Sequence, residues 1–575
     1  MIPINQKKGR YHSMVNIWNQ PSTVTTQVLI IGSGPVGLAL AADLGRRGIA
    51  ALVVEQNEPK IGPAKMILVG VRSMEFCRRL GIADKPVNWG FPPDHSLDNV
   101  FVTSLSGYEL GRIPMPRMGQ YGPSRYSPEA QAYCPQTWFD PILRNRAEEF
   151  PSVQLRYRHR LEEFVQDERG VQASVTNLDT GQRELISASY LVGGDGYASS
   201  VRKLMGIEMR GRPFIDNSIN IEVAIPDLDR YHDKGRAGRY IMVGPEGTWA
   251  TFISVDGHDL WRITLYGAND IDLKGVDLDK AIKRCIGRDE VSYEVKSVGH
   301  WVRRAVVADR FNDGRVLIAG DAAHTHPPNG GFGMNTGIGD AENLAWKLAA
   351  ALEGWGGERL LDSYDTERRP ACHRAMEESL ANYSRLVGGT VLQDVAETSS
   401  RGERARRELG ERLVSANTLA WRPYGIHLGL MYDPSPLVIP DGSPRPVDDR
   451  IGYIPTSRPG SRAPHGWLPD GQSMLDLFGD GYVLLRFGKV PREAFGLVQA
   501  ARAARVPLKV HDITDRNLAD LYEQPLVLVR PDGHVAWRGE RIPADVAHMI
   551  DQIRGGSTAP ASVREVQPQY LLAAE

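Results

Sequence analysis

Long apolar runs are missing from this 575-residue sequence, and none approaches the ~18 residues needed to cross a bilayer. Lys7, Lys8 and Arg10 stand near the start with no apolar stretch behind them, so no secretory leader is expected. Residues 1–25 read as a flexible tail on a cytoplasmic protein. Cysteine is scarce: Cys77, Cys134, Cys285 and Cys372 are scattered, with no CxxC pair and no metal-ligand spacing. A disulfide framework and a zinc site are thereby excluded, and four reduced, buried thiols are expected. Charge of one sign is lacking too, with 68 Lys plus Arg against 70 Asp plus Glu and a net charge of −2. Nothing in that balance selects nucleic acid or an anionic membrane as a partner. The apolar share of 42% and charged share of 24% describe an ordinary globular protein, long enough for two or three domains.

The most informative stretch is residues 27–55. An apolar run, Gln27-Val28-Leu29-Ile30-Ile31, stops at Gly32-Ser33-Gly34-Pro35-Val36-Gly37. A helical pattern follows to Gly48, and a second apolar run, residues 50–54, ends on Glu55. In this arrangement the first glycine permits a tight turn, the second lets backbone approach a pyrophosphate, and the third packs helix on strand. The helix start offers unpaired N–H groups to phosphate, and Glu55 is placed to accept hydrogen bonds from a ribose.

A second signal spans residues 315–352. Val316-Leu317-Ile318-Ala319 reads as a buried strand with Gly320-Asp321 at its carboxyl end, where ligands collect in open α/β sheets. A loop leads into Gly330-Gly331-Phe332-Gly333-Met334-Asn335 and a long amphipathic helix marked by Ile338, Ala341, Leu344, Ala345, Leu348 and Leu352. His324 and His326 have no third ligand spaced with them, so no metal is expected. Between the two signals, residues 190–192 feed Gly194-Asp195-Gly196-Tyr197-Ala198-Ser199-Ser200-Val201-Arg202, and residues 214–302 mostly alternate with period two, as antiparallel strands do.

These three motifs together resemble those of the flavin-dependent aromatic hydroxylases of the para-hydroxybenzoate hydroxylase type. The likeness covers roughly residues 25–390, including Ser363-Tyr364-Asp365-Thr366-Glu367-Arg368-Arg369-Pro370. Within that family the chain looks most like the large phenol hydroxylases with a thioredoxin-like tail. The resemblance implies a Rossmann-type FAD-binding domain (residues 26–90, 130–210 and 300–400) interleaved with an antiparallel-sheet substrate domain (residues 91–129 and 211–299). Carried over, Gly32, Gly34 and Gly37 hold the FAD pyrophosphate, Glu55 the adenosine ribose and Gln136 the flavin. Asp321 takes the ribityl chain, and the amides of Gly331, Gly333, Met334 and Asn335 face the flavin pyrimidine. Pro328 lies beside the reacting flavin carbon, and Asp195 belongs to a motif associated with both FAD and the nicotinamide cofactor. Lys65 stands where the family usually has Arg, and Ile67 where some members have a histidine near the substrate hydroxyl, which leaves the catalytic base open.

Residues 401–466 suit a helix and a Pro/Gly-rich linker. Residues 467–575 alternate strands and helices in an order resembling thioredoxin, with Pro525 before a strand and no cysteine, so a packing or dimer role is expected and a homodimer with it. The implied reaction uses NADPH or NADH and O₂ to hydroxylate a small phenolic ring through a flavin hydroperoxide. No second strand–GxGxxG–helix unit exists for the nicotinamide cofactor, which is expected to bind transiently. The halogenase motif WxWxIP and the cysteine pair of a disulfide-type reductase are both absent. The competing reading is an FAD-binding protein with another oxidative activity or without turnover. The pocket is expected between Pro327-Pro328 and the sheet, where residues 260–266 put Arg262, Thr264 and Tyr266 on one face. There Arg262 or Tyr266 would polarise the phenol oxygen; the blander alternative is a solvated face with Arg262 in a surface ion pair.

Overall fold

The computed structural model describes residues 24–59, 65–267, 275–387, 393–421, 424–488 and 493–557. Most of the expected N-terminal tail, residues 1–23, lies outside this set, as do residues 558–575 at the end of the C-terminal unit. No helix among the described residues is long and apolar enough to cross a membrane.

The apolar run that opens the dinucleotide motif forms the strand Val24–Ile31, buried from Val28 onward. It pairs in parallel with Arg183–Gly193 on one side and Ala51–Glu55 on the other. Val316–Ile318 and Val153–Tyr157 extend the same parallel sheet outward. Strands buried on both faces read as near-continuous apolar runs, and residues 28–31, 51–54 and 316–318 do. The helix Pro35–Arg46 starts with proline, whose fixed φ suits a first helical position. It packs against Gln136–Glu148 and the long helix Phe332–Leu352. An antiparallel hairpin, His159–Gln166 with Val171–Asn177, joins the sheet through Arg183–Gly193.

The alternating middle of the chain forms an eight-stranded sheet, in the order His324–Thr325, Glu294–Ala308, Met209–Ala224, Leu260–Tyr266, Gly247–Ser254, Arg239–Gly244, Asn99–Val102, Glu109–Ile113. Its pairings are antiparallel except for Asn99–Val102 beside Arg239–Gly244. One face carries Ile219, Ile221, Tyr240, Met242, Phe252, Trp261 and Ile263 into a core with Ile282, Cys285 and Ile286 of the helix Leu278–Ile286. On the other face, Phe101, Ile241 and Val243 pack against Leu409 and Leu413 of the helix Ser400–Thr418, and the uncovered remainder is polar.

The C-terminal sheet runs Leu508–Ile513, Tyr482–Phe487, Leu526–Val529, Val535–Gly539, parallel in the first pairing and antiparallel in the other two. With the helices Phe495–Ala503, Arg516–Tyr522 and Val546–Ile553 it is a thioredoxin-like unit. Its core is continuous with Trp346 and Ala350 of the long helix. Buried charges cross the junction: Arg530 donates to both oxygens of Glu367 at 2.5 and 2.9 Å, and Lys347 donates to Glu367 at 2.7 Å. All four described cysteines are free and buried.

Candidate active site

The parallel sheet and the polar face of the antiparallel sheet enclose one cavity of about 980 Å³. That lies at the upper end of the range for small-ligand sites, roughly 300–1,000 Å³. Gly32, Gly34, Glu55, Lys65, Gln136, Asp195, Arg262, Asp321, Pro328, Gly331, Gly333 and Met334 all line it. Residues three hundred positions apart in the chain thus share one space. Gly37, Asn335 and Tyr266 are not on its wall.

The three glycines of the turn do different work. A Cβ on Gly32, which has φ of +102°, would meet the Gly194 carbonyl oxygen at 2.5 Å. One on Gly37 would meet the Gly32 carbonyl oxygen at 2.1 Å, so Gly37 serves helix–strand packing from behind the cavity. One on Gly34 would meet nothing within 4 Å, which leaves that face open to a ligand. Gly34 also caps the helix Pro35–Arg46 without a side-chain hydrogen bond, and the first turn has no acidic residue. An uncapped helix start beside open space fits a phosphate-bearing cofactor. Glu55 closes the other side of the turn: Oε2 accepts from the Ser33 amide at 3.0 Å, and Oε1 from the Asn57 amide at 2.8 Å.

The second glycine-rich loop is held from below. Asp340, in the helix Phe332–Leu352, accepts from the Gly320 amide at 3.0 Å, lies 2.7 Å from His324 Nε2, and accepts from Arg368 Nε at 2.8 Å. Burial alone would raise this carboxyl, but His324 and Arg368 hold it at about 2. Cys372 completes a His324–Asp340–Cys372 group of metal-ligand types, yet the Arg368 guanidinium already occupies one Asp340 oxygen. Asn335 acts as a tie: Oδ1 accepts from the Gly70 amide and Ser73 hydroxyl, each at 2.7 Å, and Nδ2 donates to the Leu68 and Gly331 carbonyls. Arg202 links the Gly194–Arg202 segment to the loop by donating to the Ala322 carbonyl at 3.0 Å. Asp321 is exposed to the cavity, and the enclosing protein raises its pKa. Asp195 is also raised by burial while accepting from the Ser200 amide at 2.7 Å.

Gln136 lines the cavity and donates through Nε2 to Asp140 at 2.9 Å. Burial pushes Asp140 up to about 7, a perturbed acid that its sequence context does not single out. Ile67 is buried on the wall, so no imidazole reaches the site from that position.

On the sheet side the polar face of Leu260–Tyr266 divides. Arg262 lines the cavity and donates to the Lys65 carbonyl at 3.3 Å. Tyr266 does not reach it. Its ring lies 5.0 Å from the Arg303 guanidinium, which is paired with Asp216, so it packs in a neighbouring buried cluster. Ser297, Glu222, Arg239 and Asn99, which the sequence does not single out, also line the cavity. With Arg262 and the buried Ile253 they stand in one register row across six strands and so share a face. Tyr133 and Trp421 flank that row from outside the sheet.

A glycine-rich turn of dinucleotide-binding type and an antiparallel sheet closing over one cavity are the framework of a flavin-dependent oxidoreductase. The FAD binding domain family matches residues 25–379, and the aromatic-ring hydroxylase C-terminal family matches residues 456–556. The chain therefore belongs to the FAD-dependent aromatic-ring monooxygenases, enzymes that use NAD(P)H and O₂ to hydroxylate phenolic rings. It is 32% identical to 4-methyl-5-nitrocatechol 5-monooxygenase of Burkholderia sp, over 93% of this chain and 98% of that protein. Phenol 2-monooxygenase of Pseudomonas sp. (strain EST1001) is 28% identical over 94% of each. The structure of RebC soaked with chromopyrrolic acid and holding 7-carboxy-K252c superposes with a TM-score of 0.86 at 38% identity, covering 93% of this chain and all of that one.

Proposed function

We propose that the cavity holds FAD along the two glycine-rich loops and the phenolic substrate against the polar row of the sheet. The observation that carries this reading is that Gly34, Glu55, Asp321, Pro328, Gly331 and Arg262 line one continuous space. The open face at Gly34 and the helix start behind it would take the pyrophosphate, Glu55 the adenosine ribose, and Asp321 the ribityl chain. Gln136, Lys65 and the amides of Gly331, Gly333 and Met334 would border the ring system, with Asn335 fixing their loop. Bound FAD supplies the redox chemistry, accepting reducing equivalents from NAD(P)H and passing one oxygen atom of O₂ to the substrate ring.

The protein's own contribution is enclosure and orientation. The two sheets would shield the reacting centre from bulk water. Arg262, whose pKa burial lowers to about 10, remains a cation at neutral pH and would stabilise negative charge on the phenol oxygen. That role substitutes for the histidine absent at Ile67. Residues 26–90, 130–210 and 300–400 would form the cofactor domain, and 91–129 with 211–299 the substrate domain. The reading places the enzyme in the cytoplasm as a homodimer, in line with its free buried thiols. Gel filtration followed by absorbance tests it: the protein should elute yellow with one FAD per chain, and a colourless protein would end the proposal.

A further inference from the structure

Two backbone segments of the cofactor side, the turn at Gly320-Asp321 and the helix start at residues 332–335, hang on one bracket. Arg368, in the helix Asp362–Val387, is buried. It donates through Nε to Asp340 at 2.8 Å, through Nη2 to the Thr336 carbonyl at 2.9 Å and through Nη1 to the Tyr432 hydroxyl at 3.1 Å. Asp340 in turn accepts from the Gly320 amide, and Thr336 follows directly on the Gly333, Met334 and Asn335 amides in the first turn of Phe332–Leu352. Gly339 makes the room, since a Cβ there would meet Arg368 Nη2 at 2.9 Å. One guanidinium thus ties both segments together from behind. Its third contact has a different origin: Tyr432 lies outside both family-matched stretches, residues 25–379 and 456–556.

Tyr432 is itself set by the C-terminal unit. Its amide donates to the Gly460 carbonyl at 2.9 Å, and the Gly460 amide donates to the Val535 carbonyl at 2.8 Å. Its ring lies 4.2 Å from that of His534, in the turn between Leu526–Val529 and Val535–Gly539, and both side chains are buried. Burial pushes the Tyr432 hydroxyl up to about 12, so it stays protonated at neutral pH. A hydrogen bond from a buried guanidinium is of the stronger, charge-assisted kind, and its loss leaves an N–H unsatisfied away from water. We propose that Tyr432 is a positioning residue for the cofactor site: through Arg368, the C-terminal unit holds the Gly320 turn and the Phe332 helix start in the form that binds FAD. The inference rests on the FAD reading above and gives the cysteine-free thioredoxin-like unit a task besides packing. The link is one of population, because a site that spends only part of its time in the binding form loses apparent affinity in proportion.

The test uses the FAD-loaded enzyme. Dilution releases FAD, whose fluorescence gives the dissociation constant, and the melting temperature is read on the same samples. Tyr432→Phe keeps the ring against His534 and removes only the hydroxyl. It should raise the FAD dissociation constant about tenfold and shift the visible absorption bands of the flavin that stays bound. Asp476→Asn unties Arg78 across the same junction, outside the bracket, and should leave affinity and bands at their wild-type values. A Tyr432→Phe protein that loses stability with affinity and bands unchanged overturns the proposal, by leaving Tyr432 a packing residue. An equal loss of affinity in Asp476→Asn overturns it as well, by making the effect one of junction strength at large. So does a Tyr432→Phe protein indistinguishable from the wild type. A colourless wild type is a different failure: it strikes the FAD reading, and the proposal falls with it.

Discussion

Cations at the domain junction and on the cavity wall keep different company. At the junction with the thioredoxin-like unit, Arg530 and Lys347 share Glu367, Arg530 also bonds Asp532, and Arg462 meets Glu75, all nearly or wholly out of solvent. In the cavity, Arg239 has an aromatic face and no acid among the described residues. The junction is complete as it stands, so its charges bind two parts of the fold together. The difference lies in partners: the junction's cations meet carboxylates, whereas Arg239 meets the Trp421 ring.

The largest expected effect comes from breaking the compensated group. Glu367→Gln leaves Arg530 and Lys347 buried around a neutral amide, and loss of one partner from such a network costs about 3–5 kcal/mol. The melting temperature should fall by about 3–4 °C for a chain of this length, and a change within error would mean the junction is held by its apolar core alone. Charge-compensated buried carboxylates also give a pH signature. Burial raises Glu75 and Asp340, but their cationic partners hold both at about 2, below the ordinary carboxylate range. Their stabilisation is present above the unfolded pKa of about 4 and is lost as pH falls toward about 2. Melting temperature should therefore drop steeply across that window.

The next effect tests the cofactor side. Asp321→Ala and Glu55→Ala should each weaken FAD retention by about tenfold or more without lowering the melting temperature of the apoprotein. Full FAD occupancy after gel filtration in both variants would remove these two residues from the site. Smaller again is the effect on product yield. Arg262→Ala should consume NAD(P)H and release hydrogen peroxide with little hydroxylated product, whereas Tyr266→Phe, beside Arg303, should leave coupling near the wild-type value. Coupling unchanged in Arg262→Ala would send the search for the phenol partner to Tyr133 and the residues around it.

The smallest expected change concerns Asp140. Burial raises its carboxyl to about 7, so its protonated form is favoured in the folded protein. The stabilisation is fully present below the unfolded pKa of about 4 and is lost as pH rises through about 7. Asp140→Asn should flatten that decline, with the difference between pH 5 and pH 8 amounting to a few degrees at most. Parallel melting curves for the two proteins would show that Asp140 stays ionised beside Gln136.

Sequence alone determined the features whose physics is local. Gly32, Gly34 and Gly37 are demanded by a turn, an open approach and a helix–strand contact within six residues. The strand Val24–Ile31 and the helix Phe332–Leu352 follow from apolar runs and a 3.6-residue period. The strands Tyr482–Phe487 and Leu526–Val529 are equally legible, for the same reason. Tertiary structure decided the sheet wall of the cavity. Arg239 and Arg262 lie on different strands, each paired with Ile253, and only that register puts them on one face of one row. Tyr266 shows the converse: it shares the alternation of Arg262, yet the packing of Arg303 takes it into another cluster. Asp140 likewise has an unremarkable helical context and acquires its shifted pKa from what packs around it. Alternation says which residues share a face of one strand; which face meets a cavity, and which neighbours stand beside it, is settled by pairings between strands far apart in the chain.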